Sequence, residues 1–130
     1  MSAPPPVAVK RGLAGLGLFA TDTIPRGQFI LTYDGERISP EEGDRRGGKY
    51  LFTVSPDCII DGKARSNLAR YINHACTPNA YAEADEDALM IRIYAKRKIR
   101  AGEEITYHYG RDYFNDMIAE NCQCVSCLAN

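Results

Sequence analysis

Short alternating apolar runs, each closed by glycine, proline or acidic residues, follow one another along the chain and predict a mostly β protein made of small sheets. Val7 to Arg11 alternates first. The glycine-rich stretch Gly12-Leu13-Ala14-Gly15-Leu16-Gly17 reads as a turn, and Leu18-Phe19-Ala20 resumes the apolar pattern. Ile24-Pro25-Arg26-Gly27 is the next turn, and Gln28 to Asp34 reads as a strand with Phe29, Leu31 and Tyr33 on one face. The polar stretch Ser39 to Gly48 has the length of a surface loop or one helical turn, with Ser39 as cap and Pro40 at the first helical position. Tyr50 to Val54 and Cys58 to Ile60 read as strands around the turn Ser55-Pro56-Asp57, and Asn67 to Ile72 as a single helical turn. Ala80 to Ala84 and Leu89 to Tyr94 make the clearest hairpin, joined by Asp85-Glu86-Asp87. Ile99-Arg100-Ala101-Gly102 repeats the earlier turn phrase and leads into the last strand, Glu104 to Tyr109. There Ile105, Tyr107 and Tyr109 share one face, while Thr106 and His108 point the other way.

Arg70 to Asn79 breaks this pattern. Asn73, His74, Cys76 and Asn79 crowd an amide, an imidazole, a thiol and a second amide into one short segment, and each such group left unpaired in a core would cost roughly 1–3 kcal/mol. A functional site explains that density better than packing does. Near the C-terminus, Cys122-x-Cys124-x-x-Cys127 sets three thiols too close together to be independent packing choices. Zinc takes four tetrahedral thiolate or imidazole ligands, so one is missing from the knuckle. The candidates are Cys76, Cys58, His74 and His108, and Cys76 is preferred because it ties the tail back to the polar segment. Cys58 lies in an apolar strand and reads as core.

Other motifs carry less. Gly15, Gly17 and Ala20 fit the dinucleotide pattern G-x-G-x-x-A, but that pattern needs a helix directly after the glycines. Thr21, Asp22, Thr23 and Pro25 rule the helix out. A backbone stripped of side chains can still approach a ligand closely. His74 and Cys76 are not placed as base and nucleophile, since no third group orients the histidine. Glu41-Glu42, Glu103-Glu104, Arg45-Arg46 and the cluster from Lys96 to Arg100 read as solvated.

The 130 residues make one domain, and a net charge of −1 with a pI near 6.1 argues against a protein that works by neutralising nucleic-acid phosphates. No apolar run approaches the roughly 20 residues of a membrane span, and the Pro-rich lead has no signal-peptide core. The expectation is an intracellular location, cytoplasm or nucleus, where an odd count of five cysteines suits ligands and buried thiols rather than disulfides.

Five motifs in order resemble those of SET-domain protein lysine methyltransferases: Gly15-Leu16-Gly17-Leu18-Phe19-Ala20; Tyr50-Leu51-Phe52; Asn67-x-Ala69-Arg70-x-Ile72-Asn73-His74-x-Cys76-x-Pro78-Asn79; Gly102-Glu103-Glu104-Ile105-Thr106-Tyr107-x-Tyr109-Gly110; and the terminal cysteine knuckle, similar to a post-SET segment. The resemblance implies a β-clip-like SET fold with few short helices and a C-terminal pseudoknot. It divides the chain into a flexible lead (1–6), a SET domain (7–113) and a zinc-binding post-SET tail (114–130). It implies S-adenosylmethionine as methyl donor, held by Ala14, Gly15, Leu16, Gly17, Tyr50, Arg70, Asn73, His74, Tyr109 and Tyr113. Tyr109 matches the catalytic tyrosine and Tyr107 the aromatic position that limits the product. Cys76, Cys122, Cys124 and Cys127 match the zinc ligands.

The activity implied is transfer of a methyl group to a lysine of a protein or peptide, a histone tail being the family's commonest target, with monomethylation as the main product. The partner implied is that protein or peptide substrate, with no direct nucleic-acid or membrane contact and the oligomeric state left open; a host nucleus is an alternative location for a microbial or viral enzyme. The other reading is a catalytically weak peptide-binding module on the same fold. The knuckle has two residues before its last cysteine where many relatives have four, and His108 stands where an acidic residue is common.

Overall fold

In the computed structural model, the structure describes residues 5–12, 15–48 and 50–108. Among them, strands dominate and lie in three small sheets around one core. β1 (Val7–Gly12) and β2 (Gly15–Ala20) form an antiparallel hairpin in which Gly12 faces Gly15. Gly12 and Gly15 to Gly17, read in the sequence as part of a turn, therefore lie in strands. β2 also pairs antiparallel with β10 (Glu104–Tyr107), whose other edge pairs parallel with β7 (Asn73–His74). The second sheet has the order β3 (Phe29–Tyr33), β9 (Met90–Ala95), β8 (Ala80–Asp85), and the third the order β4 (Glu36–Ile38), β6 (Cys58–Asp61), β5 (Leu51–Ser55).

Ser39 caps α1 (Pro40–Arg46), the one α-helix among the described residues, by accepting from the Glu42 amide at 3.1 Å. The helix runs nearly two turns rather than one, with acidic residues in its first turn and basic residues in its last, the arrangement its dipole favours. Asn67 to Ile72 forms a 3-10 turn over Leu68–Tyr71. Among the described residues, no helix is long and apolar enough to cross a membrane.

Leu18, Ile24, Ile60, Ile72, Ile91, Ile93, Ile99 and Ile105 are fully buried, and Cys58 joins them as expected. The two similar turns meet across the molecule, since Ile24 and Ile99 exchange backbone hydrogen bonds of 2.8 and 2.9 Å. The expected face of β3 is corrected: its pairing with β9 shifts register between Phe29 and Leu31. Ile30 and Leu31 are consequently both buried, and Phe29, 46% exposed, rests edge-on against Tyr94 on the outer surface.

Several charges read as solvated are structural. Arg46 gathers Glu42, Glu36 and the buried Asp61 around its guanidinium, at 2.6, 3.0 and 3.1 Å, fastening α1 onto the third sheet. Glu103 pairs with Arg97 at 2.9 Å and accepts the Arg100 amide at 2.8 Å, closing the turn before β10. Asn79 ties two strands together. Its buried amide donates to the Glu104 carbonyl at 2.8 Å and accepts from the Thr106 N–H at 2.9 Å, stitching the start of β8 to β10.

Asn79→Ala leaves a carbonyl and an N–H unpaired, and is expected to cost about 2–4 kcal/mol in denaturant unfolding; a loss under 0.5 kcal/mol would contradict this role. Arg97, first by its hydrogen bond, holds the Glu103 carboxyl below its ordinary value of 4.5, against a smaller opposing effect of burial. A depressed folded-state pKa gives stability that is present above pH 4.5 and is lost as pH falls through the lower folded value. Glu103→Gln should therefore flatten the acid limb of a stability profile measured from pH 6 downward, and an unchanged acid limb would refute the assignment.

Candidate active site

β10 brings two groups of side chains together because both of its edges are paired. Asn73 lies beside Thr106, and His74 beside Tyr107. On the β2 side, the Asn73 amide donates to the Leu16 carbonyl at 3.1 Å and to the Glu104 carboxylate at 2.8 Å. Gly17 sits against the same pair: a Cβ there would come within 2.4 Å of the Glu104 carboxylate oxygen. Leu16 and Gly17 thus meet Asn73.

Tyr50 and Arg70 form a second group. The Arg70 guanidinium lies 4.5 Å from the centre of the Tyr50 ring and 5.2 Å from that of Tyr71, donates to the Tyr50 hydroxyl at 3.3 Å, and also bonds the Lys63 carbonyl. Its Nε is buried without a hydrogen-bond partner among the described residues. A buried donor left open in this way suits an incoming anionic or carbonyl oxygen.

An aromatic row links the two groups from behind. Tyr107, buried on β10, stacks on Phe52 with ring centres 6.3 Å apart and planes 3° from parallel; Phe52 leans on Tyr33 at 5.2 Å, and the Tyr33 hydroxyl donates to the Tyr50 carbonyl at 2.7 Å. Phe52 and His108 also line an open cleft of about 620 Å³ whose floor includes Pro78, Ala80 and Ala82.

His74 is buried, with its ring edge-on to His108 at 4.5 Å. Burial first, and then the His108 charge, lowers His74 from 6.5 to about 4, so it is neutral at pH 7. The Cys76 sulfur lies 3.6 Å from His74 Nε2 and is half-buried. Among the described residues no cluster of three or more metal-ligating side chains occurs. Ala14, Tyr109, Tyr113, Cys122, Cys124 and Cys127, with the pseudoknot and the tail 114–130, lie outside the described residues.

The family model for the SET domain matches residues 15–110. This chain belongs to the SET-domain family. Among SET-domain relatives, histone-lysine N-methyltransferase set1 of Dictyostelium discoideum is 44% identical over 72% of the chain. The H3 lysine-4 specific histone-lysine N-methyltransferase of Schizosaccharomyces pombe is 37% identical over 86%. The chain spans only 7% and 13% of those two relatives' own lengths. Among solved structures, Chaetomium thermophilum polycomb repressive complex 2, autoinhibited and bound to S-adenosylmethionine, superposes with a TM-score of 0.73 at 34% identity, over 83% of this chain and 15% of that one.

Within this SET domain, Glu104, Phe52 and Tyr33 are site neighbours that pattern reading did not assign. Glu104 looked like one more turn-side acid. Only the parallel register of β7 on β10, invisible in sequence, brings it to Asn73.

Proposed function

We propose that the protein transfers a methyl group from S-adenosylmethionine to a lysine side chain of a protein, giving mainly the monomethylated product, with histone tails the first substrates to test. The observation that carries this reading is the buried Tyr107–Phe52 stack, set one strand register from Asn73 in a SET domain. The naming of relatives as histone-lysine methyltransferases and the donor bound in the polycomb structure support it. Work on histones would take the protein into a nucleus, its own or a host's.

Donor recognition falls to Ala14, Gly15, Leu16, Gly17, Tyr50, Arg70, Asn73, His74, Tyr109 and Tyr113. The open Arg70 Nε fits a carboxylate, the acceptor groups around Asn73 fit an ammonium, and the Tyr50 ring fits an apolar or aromatic face. S-adenosylmethionine, when bound, supplies an electrophilic sulfonium methyl.

The chain's own task is to deliver a neutral, aligned amine. A free lysine has a pKa near 10.4, so deprotonation at pH 7 costs roughly 4.6 kcal/mol. An aromatic wall of Tyr107, Phe52 and Tyr33 withholds solvation from the ammonium and so lowers that cost, while a narrow passage supplies alignment. In this reading the Tyr109 hydroxyl orients the amine, and the Tyr107 hydroxyl takes a hydrogen bond from it or from a water, crowding out a second methyl group.

Labelled donor incubated with histones and a lysine-peptide array, read by mass spectrometry, tests the reading. Tyr109→Phe should lower turnover at least 100-fold with donor binding retained, and Tyr107→Phe should raise the product to di- or trimethyl-lysine. Trimethylation by the unmodified protein would refute the role given to Tyr107. Donor binding without turnover on any lysine would leave a peptide-binding module.

Cys76, Cys122, Cys124 and Cys127 are the ligands proposed for a structural zinc that fastens the tail to the Asn73 segment, a donor set suited to that ion. Elemental analysis of the purified chain should find one zinc per molecule, lost in Cys76→Ala. A zinc-free, fully active protein would end this part of the proposal.

A further inference from the structure

The geometry points to Glu104 as a positioning residue: its carboxylate fixes the Asn73 amide in one orientation, and the two together form the end of the donor pocket that receives an ammonium group. The inference rests on the reading of this pocket as a site for S-adenosylmethionine.

Glu104 and Glu103 are adjacent, yet their surroundings differ. Glu103 is consumed by Arg97 and the turn amide of Arg100. Glu104 opens β10 one residue before the fully buried Ile105, so strand alternation turns its side chain out of the core. Its carboxylate has no cationic partner among the described residues; its side-chain bond is to Asn73 Nδ2, at 2.8 Å. Gly17 makes that approach possible. A Cβ at Gly17 would lie 2.4 Å from Glu104 Oε2 and 3.1 Å from Asn73 Nδ2, so any other residue would push the carboxylate and the amide apart.

The amide cannot be reversed. Nδ2 faces two acceptors, the Leu16 carbonyl at 3.1 Å and the Glu104 carboxylate, and only an NH₂ group can satisfy both. A flipped Asn73 would press its oxygen against two others. Asn73 Oδ1 is therefore held at the opposite end of the amide, without a donor among the described residues. Removing Glu104 leaves one neutral carbonyl to hold that orientation, and also removes the negative charge from this end of the pocket. The ligand chemistry that answers a carboxylate on one side of a fixed amide and a fixed amide oxygen on the other is a primary ammonium, the α-amino group of an S-adenosyl amino acid. The buried Arg70 Nε is the complementary donor for its carboxylate.

Two ligands separate positioning from general support of the fold. S-adenosylhomocysteine carries the α-amino acid end; methylthioadenosine is a nucleoside thioether without it. Calorimetric titration of both is made on the full chain, on Glu104→Ala and on Glu104→Gln, which keeps the side-chain shape if the alanine variant fails to fold. Loss of a charge-assisted hydrogen bond predicts binding of S-adenosylhomocysteine about 10- to 100-fold weaker in Glu104→Ala, with a smaller loss in Glu104→Gln. Methylthioadenosine should bind each variant within about twofold of the unmodified chain. In turnover, KM for the donor should rise while KM for a lysine peptide stays put. Equal weakening of both ligands, or no weakening of either, would overturn the role of Glu104 and leave the donor pocket standing. Failure of the unmodified chain to bind either ligand would overturn the pocket itself, and this inference with it.

Discussion

β10 is a four-residue strand with both edges committed, antiparallel to β2 on one side and parallel to β7 on the other. That double pairing is the constraint on which the site depends. Parallel neighbours cannot be joined by a tight turn and need a long crossover; here the chain between β7 and β10 makes the β8–β9 hairpin before returning. With β10 in place, Asn73 and Glu104 fall to one side of it and Tyr107 to the aromatic row. Asn79 reinforces the arrangement by satisfying backbone groups of Glu104 and Thr106 with a single side chain.

The site divides its labour by polarity. One end is lined by acceptors, Leu16 O and the Glu104 carboxylate, and the other by the Arg70 guanidinium between two tyrosine rings. Between and behind them, Tyr107, Phe52 and Tyr33 are apolar in body and polar only at the tips of the two tyrosines. In the proposed function, a zwitterion is held at the ends while a desolvated amine enters along the aromatic wall. Neutral His74, edge-on to His108, adds no charge at pH 7 to the region next to Tyr107.

Much of this was legible in the sequence, for local reasons. The Ser39-Pro40 cap, the Asp85-Glu86-Asp87 hairpin and the turns at Gly27 and Gly102 are short-range signals, and the structure has them. The motif order identified the family. What stayed hidden was long-range or depended on register. A one-residue bulge put Phe29 on the surface, and alternation cannot foresee a bulge. Arg46 and Glu104 looked solvated because their partners, Asp61 and Asn73, are distant in sequence. The roles of Tyr109, Tyr113 and the cysteine knuckle rest on the family motif alone.

The clasp between the two turns bears on how the molecule forms as well as on its shape. Ile24 and Ile99 are 75 residues apart, and β2 meets β10 over a still longer stretch of chain. Closing a loop of that size costs roughly 4 kcal/mol of chain entropy before any contact repays it, and such non-local pairings fold slowly. On a ribosome, the hairpin β1–β2 is complete long before its partner strand is made. The free edge of β2 therefore waits until β10 is synthesised, and a chain that has not reached β10 carries the glycine motif without its partner strand.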